Sequence, residues 1–334
     1  MAKLLGILLF SFLVTFVAAI PFINLLYQLK FQRQKGKQKN VFGQVTSIIN
    51  RLHGWKVGTP NAGGILIIFV SVVLSAIFYQ FTKYHLNWTA YILYLTLISF
   101  GLLGLYDDIR KFYGLSTESL GLRLRYKLIL QLIFALVIGF FLFNQMNLHT
   151  ISIPIFDLNL DLGIWYIIFA AFVIIASANA VNITDGLDGL VVGLVVIALS
   201  AFWVISANSS LQDVTLFIAV ILGSLLAFLY FNIFPARVWL GDTGSLSLGA
   251  VLAVISLILN SSLVLVFVGL VFVLEVLSVL IQWSSKALLN KKVFLVAPIH
   301  HHFEARGWDE TKVTMRFWLA GAVSAFIGLF IALL

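Results

Sequence analysis

Two carboxylates stand side by side in Leu105-Tyr106-Asp107-Asp108-Ile109-Arg110-Lys111, at the inner end of an apolar run. Adjacent carboxylates repel unless a cation lies nearby. The segment therefore reads as a cation-binding or acid–base site, or as a solvated helix terminus paired with Arg110 and Lys111. A second group lies in Asn179-Ala180-Val181-Asn182-Ile183-Thr184-Asp185-Gly186-Leu187-Asp188-Gly189-Leu190. Its two acids are spaced to share a helix face, and the glycines allow close backbone approach. Asp185 also suits an N-cap, yet capping does not account for two acids with two asparagines and a threonine.

A third group follows Asn232 and ends in Gly241-Asp242-Thr243-Gly244-Ser245. It reads as an oxygen-rich turn opening a helix, where free N–H groups suit phosphate. Mg²⁺ prefers one or two carboxylates completed by water and phosphate oxygens, a role Asp242 could fill. The fourth, Pro298-Ile299-His300-His301-His302-Phe303-Glu304, has three histidines that do not share one helix face. A dedicated zinc site is not expected from them, whereas hydrogen bonding to phosphate or proton movement is. The fifth, Lys56-Val57-Gly58-Thr59-Pro60-Asn61-Ala62-Gly63-Gly64, has the wrong order for a Walker loop, though one lysine on flexible backbone could still cradle phosphate.

These segments must be held by membrane helices. Hydrophobic residues make up 61% of the 334 and charged residues 10%, against about 25% charged in an ordinary soluble domain. Ten apolar spans are predicted, at 2–29, 62–82, 88–106, 127–145, 164–181, 187–206, 213–231, 244–260, 262–284 and 314–334. The fold class is thus an all-α polytopic membrane protein, taken as a single domain over 1–334. Lys3 before a run ending near Ala18-Ala19 has the outline of a signal peptide, but the apolar stretch continues to about Leu29. All lysines and arginines except Lys3 and Lys83 fall on one set of connections or the adjoining helix ends. By the positive-inside rule these five loops are cytoplasmic and both termini periplasmic. All five motifs lie on that side.

The segment 146–163 alternates as a short periplasmic β-hairpin near 149–162. The basic run Lys30–Asn40 reads as a tether to anionic lipid. The absence of cysteine removes disulfides, thiolate metal sites and cysteine nucleophiles. No basic face of a soluble module suggests nucleic acid as a partner. Glu275, inside the ninth span, reads as a break or groove, or as a helix–helix hydrogen bond. An ion-coupled transporter is the rival outside enzymology, but it would put charges near the bilayer midplane and interrupt helices in paired halves.

Taken together, the five blocks resemble the polyprenyl-phosphate N-acetylhexosamine-1-phosphate transferase superfamily from about Lys56 to Trp308. Asn179–Leu190 and Pro298–Glu304 are the most specific pieces. Lys56–Gly64 and the uninterrupted His300-His301-His302 favour its phospho-N-acetylmuramoyl-pentapeptide branch over the UDP-N-acetylglucosamine branch, which remains the alternative. The resemblance implies a ten-helix enzyme of the bacterial inner membrane, using Mg²⁺, UDP-N-acetylmuramoyl-pentapeptide and undecaprenyl phosphate in the inner leaflet. It implies catalytic roles for Asp107, Asp108, Asp242 and His301, with metal on Asp242 and Asp108. Substrate contacts are implied for Lys56, Thr59, Asn179, Asn182, Asp185, Asp188, Asn232, Trp239, Gln282, His300 and His302. Trp239 departs from the usual phenylalanine, and an indole can still stack on uracil. Asn61-Ala62 departs from the common Thr-Met with no derived consequence. Direct attack by the lipid phosphate is favoured over a phospho-aspartate. The sequence does not reveal the oligomeric state, and a homodimer is left open.

Overall fold

The computed structural model describes residues 2–32, 54–81, 86–113, 124–156, 158–209 and 211–334. Most of the basic run Lys30–Asn40, together with Lys83, Glu118 and Asp157, lies outside them. The helices are α1 (Ala2–Gln28), α2 (Gly64–Phe81), α3 (Trp88–Phe112), α4 (Leu124–Met146), α5 (Tyr166–Thr184) and α6 (Leu190–Asn208). They continue as α7 (Gln212–Asn232), α8 (Gly241–Ile258), α9 (Ser262–Val268), α10 (Leu270–Leu289), α11 (Ile299–Ala305) and α12 (Glu310–Ala332). Among the described residues ten helices are long and apolar enough to cross a membrane. The protein is a multi-pass membrane protein.

In lipid, helix association depends on close packing and interhelical hydrogen bonds, because the hydrocarbon is as apolar as the side chains. Small residues on α8 supply that closeness. Gly244 meets Gly64 of α2, Gly249 meets Ala178 of α5, and Ser177 donates to the Gly249 carbonyl at 2.7 Å. As a result α8 is buried along nearly its whole length, with α3 and α5 against it. α7 is the other inner helix, packed on α1, α2 and α6. On α1, by contrast, several large apolar side chains such as Leu13 and Val17 point outward.

Several helix ends lie beyond the expected boundaries, and the extensions of α3, α8 and α12 carry charge. α3 continues to Phe112, so Asp107, Asp108 and Lys111 ride on helix rather than loop. Its start is fixed by Asn87, whose side chain accepts the Ala90 N–H at 3.1 Å. The expected ninth span, 262–284, is interrupted at Gly269 between α9 and α10. Glu275 is not the interruption: it sits in the unbroken helix that follows.

At the end of the bundle away from the five motifs, β1 (Thr150–Ile153) and β2 (Leu158–Asp161) form the expected hairpin. The pairing is antiparallel, with Thr150 opposite Asp161 and Ile153 opposite Leu158. Asp161 closes it by accepting the Gly163 N–H at 2.8 Å and approaching His149 Nδ1 at 3.0 Å. Those two contacts, the backbone one first, hold its carboxyl below the usual range.

Candidate active site

The inner ends of α3, α4 and α8 bring four charged side chains to one point. Lys111 Nζ lies 3.1 Å from Asp107 Oδ2 and 3.0 Å from Asp242 Oδ2. Lys127 Nζ, from the first turn of α4, lies 3.2 Å and 2.6 Å from the same two oxygens. Two ammoniums thus share two carboxylate oxygens. Neither lysine was singled out from the sequence as a functional residue, because each read as one more cation on a basic side.

Asp108 has a different task. Its Oδ1 accepts from Asn61 Nδ2 and the Asp242 N–H, each at 3.2 Å. Its Oδ2 accepts the Thr243 N–H at 3.0 Å and the Thr243 hydroxyl at 2.7 Å. Both oxygens are taken up in fastening the start of α8 to α3. The carboxylate that converges with Asp242 is therefore Asp107, not its neighbour. Glycines make the approach possible: a Cβ on Gly104 would lie 2.2 Å from the Asp242 carbonyl oxygen. Gly241 has φ +75°, and a Cβ there would lie 2.7 Å from Asp108 Oδ2.

A second cluster is centred on Asp188. Its Oδ1 receives Lys56 Nζ at 2.7 Å and the Trp239 indole N–H at 3.1 Å, and its Oδ2 the Ala236 N–H at 2.9 Å. Glu310, at the start of α12, also binds Lys56 and accepts the Asp188 N–H at 2.7 Å. It lies outside all five sequence motifs. Lys56 is nine-tenths or more buried, so two carboxylates are needed to hold its charge out of water.

A family model described as glycosyl transferase family 4 matches residues 90–260, which include Asp107, Lys111, Lys127, Asp188 and Asp242 but not Lys56 or Glu310. The phospho-N-acetylmuramoyl-pentapeptide-transferase of Oceanobacillus iheyensis is 40% identical to this chain over 326 residues, 96% of this chain and 95% of that one. The one from Anoxybacillus flavithermus is 37% identical over 328 residues, 96% and 95% of the two chains. The one from Caldanaerobacter subterraneus subsp. tengcongensis is 38% identical over 330 residues, 98% of each. The chain belongs to the phospho-N-acetylmuramoyl-pentapeptide-transferase family. It is a phosphoglycosyl transferase, and the transporter alternative finds no support.

In this transferase Asp185 links the two clusters. It is the C-cap of α5, while Gly189, with φ +75°, caps α6. The expectation that Asp185 caps α6 and shares a helix face with Asp188 is therefore corrected: both acids lie in the turn between the helices. Helix propensity fails there because Gly186 and Gly189 interrupt it. Burial, and then the Asp242 and Asp108 carboxylates, push the Asp185 carboxyl up to about 8.

Other expected contacts turn out to be engaged with the scaffold. Asn179 exchanges hydrogen bonds with Gln131 of α4, donating at 2.7 Å and accepting at 3.3 Å. Asn182 donates to the Ser245 hydroxyl at 2.8 Å, tying α5 to α8. Asn232 donates to the Val238 carbonyl at 2.9 Å and so closes the loop bearing Trp239. Gln282 accepts the Val293 and Phe294 N–H groups and donates to the Phe294 carbonyl. His302 Nδ1 accepts the Leu295 N–H at 3.1 Å, and burial followed by nearby Arg306 lowers its pKa. Thr59 donates its N–H to the Lys56 carbonyl and so shapes the lysine's loop. His301 Nδ1 lies 2.7 Å from Glu304 Oε2, while His300 is fully buried.

Among the described residues no three His, Asp or Glu side chains form a metal cage by themselves. The Asp107–Asp242 oxygen pair nevertheless suits a hard divalent cation that draws its remaining ligands from phosphate and water.

Proposed function

We propose that this chain transfers phospho-N-acetylmuramoyl-pentapeptide from UDP-N-acetylmuramoyl-pentapeptide to undecaprenyl phosphate. The products are UMP and a lipid pyrophosphate bearing the sugar and peptide. The observation that carries this reading is the meeting of Asp107, Asp242, Lys111 and Lys127 at helix ends. Phosphoryl transfer asks a protein chiefly for positioning and charge neutralisation, and this group offers both. Among the described residues all lysines and arginines except Lys3 lie at the same end of the bundle, which supports a site on the cytoplasmic face of the bacterial inner membrane.

The nucleotide lies at the Asp188 cluster. Its uracil stacks on Trp239, whose ring is fixed by the indole N–H bond to Asp188, and Lys56 approaches the anionic part. Asp185 lines the substrate site between the two clusters. The asparagines, Thr59, Gln282 and His302 hold the walls. His301, oriented by Glu304, faces the sugar side.

The ammoniums of Lys111 and Lys127 receive the pyrophosphate and the acceptor phosphate. The acceptor has a second pKa near 6, so it is mostly dianionic at pH 7 and needs little activation. Asp107 orients it for direct in-line attack, and Asp108 keeps Asp242 in place. Mg²⁺ held by Asp107 and Asp242, with Asp108 behind them, would neutralise charge on the pyrophosphate.

Purified protein should release UMP from UDP-N-acetylmuramoyl-pentapeptide when given undecaprenyl phosphate and Mg²⁺. Chelation should abolish release. Turnover with UDP-N-acetylglucosamine instead would overturn the substrate assignment, and a trapped phospho-aspartate would overturn direct attack.

A further inference from the structure

A carboxylate sunk in a membrane helix is expensive and is retained where it has work to do. Glu275 of α10 is completely buried, and so is His300 of α11, whose Nδ1 lies 3.0 Å from Glu275 Oε2. That approach is short but poorly aligned: neither Glu275 oxygen nor either ring nitrogen makes a well-formed hydrogen bond among the described residues. The pair is thus held in close contact in a fully buried setting, where removing one partner leaves the other's polar atoms without it.

With Nδ1 turned to Glu275, the opposite nitrogen of the ring is directed at the turn between α5 and α6. A Cβ on Gly186 would lie 2.3 Å from His300 Nε2 and 3.2 Å from His301 Nε2. Both imidazoles therefore press on one residue, flanked in sequence by Asp185 and followed closely by Asp188. The space at Gly186 is set by where the His300 ring stands. A continuous line of contact runs from the interior of α10, through one imidazole, to the backbone carrying two acids of the nucleotide cluster.

We propose that Glu275 is a positioning residue: it fixes the His300 ring, and His300 braces the Asp185–Asp188 turn in its nucleotide-binding shape. The inference rests on the transfer reading above. It assigns Glu275 to binding of the nucleotide end rather than to the reacting phosphates, which lie with Asp107, Asp242 and the two lysines.

The test is a double-mutant cycle on the full-length protein in detergent, read by calorimetric UMP binding and by steady-state turnover. Glu275→Leu should weaken UMP binding and raise KM for the nucleotide sugar ~10-fold, with kcat changed less than ~3-fold, the pattern of lost uniform binding. His300→Phe should do the same, and the double variant should be no worse than either single one. Glu275→Gln, which keeps the shape and an acceptor oxygen, should restore most of the binding. If Glu275→Leu does not fold, Glu275→Met, which keeps the volume and removes the acceptor oxygens, completes the cycle with His300→Phe. Additive losses, or lower thermal stability at an unchanged KM, would overturn the proposal. Failure of the wild type to turn over would sink the transfer reading and this inference with it. An active wild type with unaltered variants would sink the inference alone.

Discussion

The Lys127 ammonium lies 2.6 Å from Asp242 Oδ2, joining the first turn of α4 to the first turn of α8. Lys127→Met keeps the length of the stem and removes the charge that faces Asp107 and Asp242 and that the proposed reaction sets against the phosphates. Losing one such group typically costs ~10²–10³ in kcat. A fall of that size with nucleotide KM nearly unchanged is the expected result of steady-state assays. A loss confined to KM would place Lys127 at the nucleotide instead.

Asp107 and Asp108 should separate cleanly despite being neighbours. Asp108 accepts four hydrogen bonds, three of them from the first turn of α8, so Asp108→Ala should destabilise the protein by about 2 kcal/mol, seen as a lower Tm. Asp107→Asn should leave the Tm within a few degrees and lower kcat ~100-fold or more. Equal Tm losses in the two variants would contradict this division.

Asp185 gives a pH signature. Its folded pKa of about 8 lies above the ordinary 3.8, so between those values the folded state binds more proton than the unfolded state. Its contribution to stability is therefore lost as pH rises through that window. Measured in chelator, Asp185→Asn and wild type should have similar Tm near pH 4, with the variant's advantage growing as pH rises to about 8 and levelling off above it. A gap that does not change with pH would refute the shift.

Gly104 is the contact point between α3 and α8. Gly104→Ala would place a methyl 2.2 Å from the Asp242 carbonyl oxygen and force the helices apart. Overpacking of this kind costs ~1–3 kcal/mol. The expected readout is a reduced Tm together with reduced kcat, since the same displacement parts Asp107 from Asp242. Full activity at wild-type Tm would show that the helix contact is slack.

The spans were legible because bilayer thickness sets a minimum apolar length, and the hairpin because its side chains alternate. The acids could be found because charge is rare in such a chain. Their division of labour could not. Asp107 and Asp108 are the same residue type one position apart, and only the helix rotation decides which one faces Asp242. Lys111, Lys127 and Glu310 were hidden among surface-like charges, although the spacing of Asp107 and Lys111 by one helical turn was a usable signal. The scaffold roles of Asn179 and Gln282 depend on partners remote from them in sequence, Gln131 and the backbone at 293–294, which no local pattern reveals.

The Asp108 clamp on α8 has an implication for how ligands are met. Each of its oxygens is committed to a donor on the opposing helix or the preceding loop, and glycines remove the slack at the same contact. The floor beneath the phosphates is consequently preorganised: arriving anions encounter charges already in place, and little free energy goes into arranging them. A ligand shaped to that fixed floor would gain more affinity from rigidity of its own than from added length.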